Sequence, residues 1–188
     1  MPLVEEAQAG QHHLLFMDAA HFVLQPFLGY LWSFVRVFIQ ASSGRQRFNV
    51  LAALDACTQQ LITVTNDAYI HSESVCILLS KIRCSFTDGL PITIVLDNAR
   101  YQHCQRVIAQ AAALEIELLF LPPYSPNLNL IERFWRFVRK TALSSAYFNT
   151  FAAFIAAIQD CLDHSQTKYK PELQSLLVLK FQTFKNVT

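Results

Sequence analysis

Two aspartates in this 188-residue chain stand where an acid is expensive to place. Asp18 follows the run His13-Leu-Leu-Phe-Met17, and Asp97 follows Ile92-Thr-Ile-Val-Leu96. Each run is apolar on both faces, the pattern of a strand buried in the middle of a sheet. An ionised carboxylate there costs several kcal/mol unless something partners it. In open α/β sheets, ligand sites gather at the carboxyl ends of central strands, so neighbouring strands would turn both acids into one crevice. Two carboxylates there repel unless a proton or a cation lies between them. Taken singly, each has a plainer reading: Asp97 caps the next helix, and Asp18 starts a turn.

A third acid, Glu132, falls in the first turn of a predicted helix behind the loop Pro122-Pro-Tyr-Ser-Pro126. Helical spacing puts Arg136 and Arg139 on its face. Phe134, Phe137, Val138 and Thr141 point elsewhere and are expected to pack on the sheet. Between Arg133 and Lys140 the chain holds Arg133, Arg136, Arg139 and Lys140 with no acid, its only dense basic segment. Alone, this segment also reads as a solvated helix face with an i,i+4 Glu–Arg pair.

The elements that must carry these residues follow from the apolar spacing. A short polar helix spans Leu3–Gln11, ending near Gly10. Strands are predicted at His13–Met17, Phe48–Leu54, Leu61–Thr65, Ile92–Leu96 and Ile116–Leu121, with a hairpin connection at Asp55–Gln60. Helices are predicted at Ser72–Phe86 with Ser72 as its cap, and at His103–Leu114. Another runs from an Asn127 or Asn129 cap to about Leu143, and two more lie at Phe148–Leu162 and Pro171–Phe181. Strands first, then alternating helix and strand, then helices describe a mixed α/β layer fold with helices covering the sheet.

Three blocks resemble the signatures of Asp-Asp-Glu transposases. They are Phe16-Met-Asp18-Ala-Ala-His21-Phe, Val95-Leu-Asp97-Asn98-Ala, and Leu121-Pro-Pro-Tyr-Ser-Pro-Asn-Leu-Asn-Leu-Ile-Glu132-Arg-Phe-Trp135. The match is to the bacterial insertion-sequence branch of the mariner-like superfamily. The 34 residues between Asp97 and Glu132 are a spacing this branch uses. Leu130 stands where the family usually has Pro. The resemblance implies an RNase H-like α/β fold: three antiparallel strands, then parallel strands, flanked by helices. It implies a catalytic domain over residues 1–147 and a helical extension over 148–188 packed on it. It further implies a metal-dependent endonuclease that cleaves transposon ends and joins 3′-hydroxyls to target DNA. Asp18, Asp97 and Glu132 would be both the catalytic residues and the ligands of Mg²⁺ or Mn²⁺, two ions in all.

Arg133, Arg136, Arg139, Lys140, Tyr124 and Ser125 are the candidate DNA contacts. His21, Asn98 and Asn129 are candidates to support the carboxylates from behind, with a purely structural role for His21 equally open. Trp32 and Trp135 read as core or interface anchors. Full-length members of the family carry a helix-turn-helix region ahead of the first aspartate. Asp18 lies too near the start for one, so an upstream region or polypeptide is an expected partner, and a homodimer is compatible with the resemblance. The competing reading is a catalytically idle split-frame or truncated fragment that only binds DNA or a transposase partner.

Composition narrows the field further. Apolar residues make 53% of the chain and charged residues 15%, which excludes a disordered or acidic solvating protein. Fifteen Lys and Arg against 14 Asp and Glu leave a net charge of +1, so DNA affinity must come from a local patch. Four scattered glycines build neither a dinucleotide fingerprint nor a phosphate-cradling loop. Five widely spaced cysteines without a Cys-x-x-Cys pair read as buried free thiols. With no signal peptide and no membrane span expected, the chain reads as cytoplasmic.

Overall fold

The computed structural model describes residues 2–24, 34–35, 46–122, 128–144 and 146–179. Their order is α1 (Pro2–Gln8), β1 (His13–Val23), β2 (Arg47–Asp55), β3 (Leu61–Asn66), α2 (Ser72–Ser85), β4 (Ile92–Leu96), α3 (Gln105–Ala113), β5 (Ile116–Phe120), α4 (Ile131–Val138), α5 (Phe151–Asp163) and α6 (Lys170–Leu176). The strands form one sheet in the order β3-β2-β1-β4-β5. β1 pairs antiparallel with β2 and β2 with β3, whereas β4 runs parallel to both β1 and β5. This is the RNase H-like order: an antiparallel meander, then parallel strands entered through helices.

Side-chain alternation divides the core into two layers. Leu14, Phe16, Ala20 and Phe22 of β1 and Val95 of β4 face α4, α5 and α6, meeting Phe134, Trp135, Phe137, Phe154, Ile158 and Leu173. Leu15 and Met17 of β1 and Ile92, Ile94 and Leu96 of β4 face α2 and α3, meeting Val75, Leu78, Ile82 and Val107. β1 and β4 are covered on both sides, which is why their sequences read as continuous apolar runs rather than alternating ones.

β1 departs from expectation in a way that matters for function. It does not stop before Asp18 but runs on to Val23. Its pairing with β4 ends at Phe16–Val95, while its pairing with β2 continues through Asp18–Ala52 to Val23–Arg47. Asp18 therefore lies inside a strand, just where that strand loses its parallel neighbour. The sequence hides this because Ala19-Ala20-His21 lacks the strong apolar character of the first half.

Other boundaries shift for local reasons. His71, not Ser72, occupies the N-cap of α2, and the Ser74 hydroxyl accepts from the His71 amide (3.5 Å). Leu130 precedes α4 without any side-chain cap, so Asn129 does not serve as one; Asn127 lies outside the described residues. α4 loosens after Val138 into a π-helical turn over Arg139–Leu143. That turn leaves Thr141 exposed rather than packed on the sheet. α5 begins at Phe151, with the Thr150 hydroxyl accepting from the Ala153 amide (3.2 Å). All five cysteines are free, but only Cys161 is buried, while Cys57 and Cys84 are exposed. Among the described residues, no helix is long and apolar enough to cross a membrane.

Candidate active site

Strand register brings the first two acids together. Phe16 and Val95 are partners in the parallel ladder and share the α4 face of the sheet. Asp18 and Asp97 each lie two residues further on, so both carboxylates emerge on that same face from adjacent strands. Helix α4 crosses this face and supplies Glu132 in its first turn.

Electrostatics records the convergence. The Asp18 carboxyl is pushed up from 3.8 to about 7, chiefly because burial strips it of water, and further by the charges of Glu132 and Asp97. Hydrogen bonds from the Ala19 amide and the Trp135 indole only partly offset this. Burial also raises the nearby Tyr101 hydroxyl to about 12, with Asp97 and Asp18 adding to the shift. The crevice thus gathers the negative charge of the acids around Asp18.

Beside the Ala19 and Ala99 amides, two uncharged side chains donate to these acids, and neither stands out in the sequence as a donor. The Trp135 indole Nε1 donates to Asp18 Oδ2 (3.1 Å). The sequence suggests only a core or interface anchor for Trp135; its position three residues after Glu132, with an N–H that needs a partner when buried, is the signal for more. At Asp97, Oδ1 accepts from the Ala99 amide (3.0 Å). The buried Gln102 amide, oriented so that both its ends are satisfied, donates to Asp97 Oδ1 (2.6 Å) and accepts from the Tyr101 hydroxyl (3.1 Å).

The remaining candidates separate. Asn129 donates to the Met17 carbonyl (3.2 Å), tying the approach to α4 onto the residue before Asp18; its own Oδ1 is buried without a partner. Asn98 donates to the Leu121 carbonyl, so it joins the ends of β4 and β5 instead of touching a carboxylate. His21 is not behind the site. Three residues from Asp18 on a strand, it points to the opposite face, where its Nδ1 bonds Asn49 Oδ1 (2.6 Å).

Of the basic residues, Arg136 is exposed, and Arg139, also exposed, lies over the Phe22 ring (5.6 Å), on the Asp18 side of the sheet. Arg133 instead donates to the Val178 carbonyl (2.6 Å), and Lys140 lies 3.9 Å from Glu172 on the surface. Tyr124, Ser125 and Trp32 lie outside the described residues.

Three carboxylates on one face, on an antiparallel-then-parallel sheet, are matched by a sequence model. The model for DDE superfamily endonucleases matches residues 13–155, covering all three acids. The chain belongs to that family. A curated relative, uncharacterized protein y4pE/y4sA of Sinorhizobium fredii (strain NBRC 101917 / NGR234), is 32% identical over 83 residues, covering 44% of this chain and 59% of its own. Among solved structures, a pre-cleavage Mos1 transpososome aligns at a TM-score of 0.63 and 12% identity, covering 98% of this chain and 60% of the other. An HTLV-2 integrase catalytic core domain in complex with magnesium aligns at 0.51 and 11%, covering 81% and 83%. This DDE endonuclease domain therefore spans less than two thirds of the length of the Sinorhizobium relative and of the Mos1 chain.

The donor set suits a hard divalent cation: three carboxylates, with no thiolate or imidazole among them. Among the described residues, no three His, Cys, Asp or Glu side chains close around a single metal position. Mg²⁺ usually keeps several waters and takes only one or two carboxylates together with substrate phosphates.

Proposed function

We propose that this chain is the catalytic domain of a DNA transposase, with residues 1–147 as its catalytic unit and 148–188 as a helical extension. The observation that carries this reading is the convergence of Asp18, Asp97 and Glu132, which raises the Asp18 carboxyl, on the side of the exposed Arg136 and Arg139. A fragment that only bound DNA would gain nothing from such a cluster, because three acids gathered in one place repel phosphate.

Asp18, Asp97 and Glu132 would hold Mg²⁺ or Mn²⁺, magnesium being the ion named for the HTLV-2 integrase core. Two such ions, when bound, would polarise the scissile phosphate and lower the pKa of the attacking oxygen. The chain's own residues supply the rest. Arg136 and Arg139 anchor the backbone phosphates, and the rigid β1–β4 platform holds the acids in register. In the first reaction, water attacks phosphorus and the P–O3′ bond at the transposon end breaks, leaving a 3′-hydroxyl. In the second, that hydroxyl attacks a target phosphodiester and displaces its 3′ oxygen. A helix-turn-helix region, in cis or on a partner polypeptide, would read the end sequence in the major groove. A second copy of the chain would serve the other end.

The direct test is nicking of supercoiled plasmid with Mg²⁺, Mn²⁺ or EDTA, with and without a competing end-repeat duplex. Metal-dependent nicking is expected, and its absence with both metals would remove the catalytic reading. The basic helix has its own test. Arg136→Ala with Arg139→Ala should weaken DNA binding and flatten the log–log salt dependence by about one unit for each phosphate that is no longer neutralised. The fold should survive, since both side chains are exposed. An unchanged slope would assign the two arginines to a merely solvated face.

A further inference from the structure

The Trp135 indole is placed as no packing requirement demands. Its ring is almost fully buried, at 1% exposure, edge-on to Phe22 (6.1 Å) and tilted against Phe134 (5.5 Å). Those neighbours lock the side chain, and its N–H then falls on Asp18 Oδ2 rather than on a backbone carbonyl. Together with the bond from the Ala19 amide, this contact fixes the rotation of the carboxylate. Trp135 also sits on α4 three residues after Glu132, so the same bond ties the helix carrying the third acid to the strand carrying the first. The donor is neutral. An Arg or Lys in its place would orient Asp18 equally well, but would cancel the charge that attracts a cation.

We propose that Trp135 is a positioning residue for metal binding: its indole N–H sets the orientation of Asp18 and, through α4, the separation of Asp18 from Glu132. The inference rests on the assignment of the three acids given above. Partners that orient metal ligands in this way typically contribute about 10–100-fold to metal affinity or activity.

Trp135 and Trp32 are the only tryptophans, so a ¹⁵N-labelled sample gives two indole signals, which Trp32→Phe assigns. Titration with Mg²⁺ should move the Trp135 indole resonance along a saturable curve, and Mn²⁺ should broaden it selectively. Asp18→Asn should remove both responses. Trp135→Phe keeps a ring against Phe22 and Phe134 but lacks the N–H. It should raise the Mg²⁺ concentration for half-maximal nicking at least about 10-fold, with the KM for DNA unchanged. A variant harmed only in packing would instead lose active fraction at every metal concentration. If Trp135→Phe does not fold, the indole titration of the wild type still decides the matter. A Mg²⁺-induced rise in melting temperature with an unmoved Trp135 resonance would overturn this inference and leave the carboxylate assignment intact. An unaltered Mg²⁺ requirement in folded Trp135→Phe would do the same. Wild-type protein that neither binds Mg²⁺ nor nicks DNA would overturn both.

Discussion

Asp18→Asn is expected to stabilise the metal-free protein at pH 8 and to abolish its thermal response to Mg²⁺. Burial, and then the charges of Glu132 and Asp97, raise the Asp18 carboxyl from 3.8 to about 7. Between those values the folded chain holds a proton that the unfolded chain releases. Stability is therefore full below about pH 4, falls as pH rises towards 7, and stays reduced above it. Each pKa unit is worth about 1.4 kcal/mol, so the loss is at most on the order of 4 kcal/mol. Asparagine carries no charge at any pH, yet keeps an oxygen to accept from Trp135. At pH 8 the variant should melt higher by up to roughly 8–16 °C, taking about 2–4 °C per kcal/mol for a domain of this size. At pH 4 the two proteins should melt together. Added Mg²⁺ should raise the wild-type melting temperature by mass action and leave the variant unmoved. Thermal scans across pH 4–8, with and without metal, make the comparison. Parallel curves for the two proteins would show that Asp18 is paired in some way the structure does not display.

What is legible in the residues depends on how far each feature is set by its own neighbours in the chain. The two apolar runs before Asp18 and Asp97 announce central strands, because a strand covered on both faces has no room for polar alternation. Their adjacency is not written there; it arises from the parallel pairing of β1 with β4, which places β4 beside β1 instead of beside β3. The full length of β1 is hidden for a related reason, since β2 alone supports its second half and the demand for apolar residues relaxes. A place for His21 behind the site fails on parity alone: residues three apart on a strand face opposite ways. Spacing sets Arg136 and Arg139 on the Glu132 face, but that the Arg133 guanidinium is engaged elsewhere is decided only by the path of the chain at Val178. Gln102 is out of reach altogether. It meets Asp97 through the turn ahead of α3, and a glutamine in a turn has no pattern to betray it.

The largest effect is expected on cleavage itself, from Asp97→Asn and Glu132→Gln. Both substitutions keep size and hydrogen-bonding reach while removing one negative charge. Asparagine at 97 can still accept from the Ala99 amide, so the backbone beyond β4 should hold its course. Glu132 is half-exposed on a helix whose buried face is Ile131, Phe134, Trp135, Phe137 and Val138, so glutamine there should not disturb packing. What each variant loses is charge in the crevice where the cation and the scissile phosphate would meet. Removing one group that stabilises developing charge typically costs about 10²–10³-fold in rate, and a metal ligand can cost more. DNA binding should move the other way. With one fewer acid facing the phosphates, affinity in EDTA should stay equal or tighten slightly, while the salt slope set by Arg136 and Arg139 is unchanged. Loss of nicking with retained binding separates catalysis from recognition, which a destabilised or misfolded variant cannot imitate. Nicking that persists at near wild-type rate in both variants would mean that the acids shape the crevice without taking part in its chemistry.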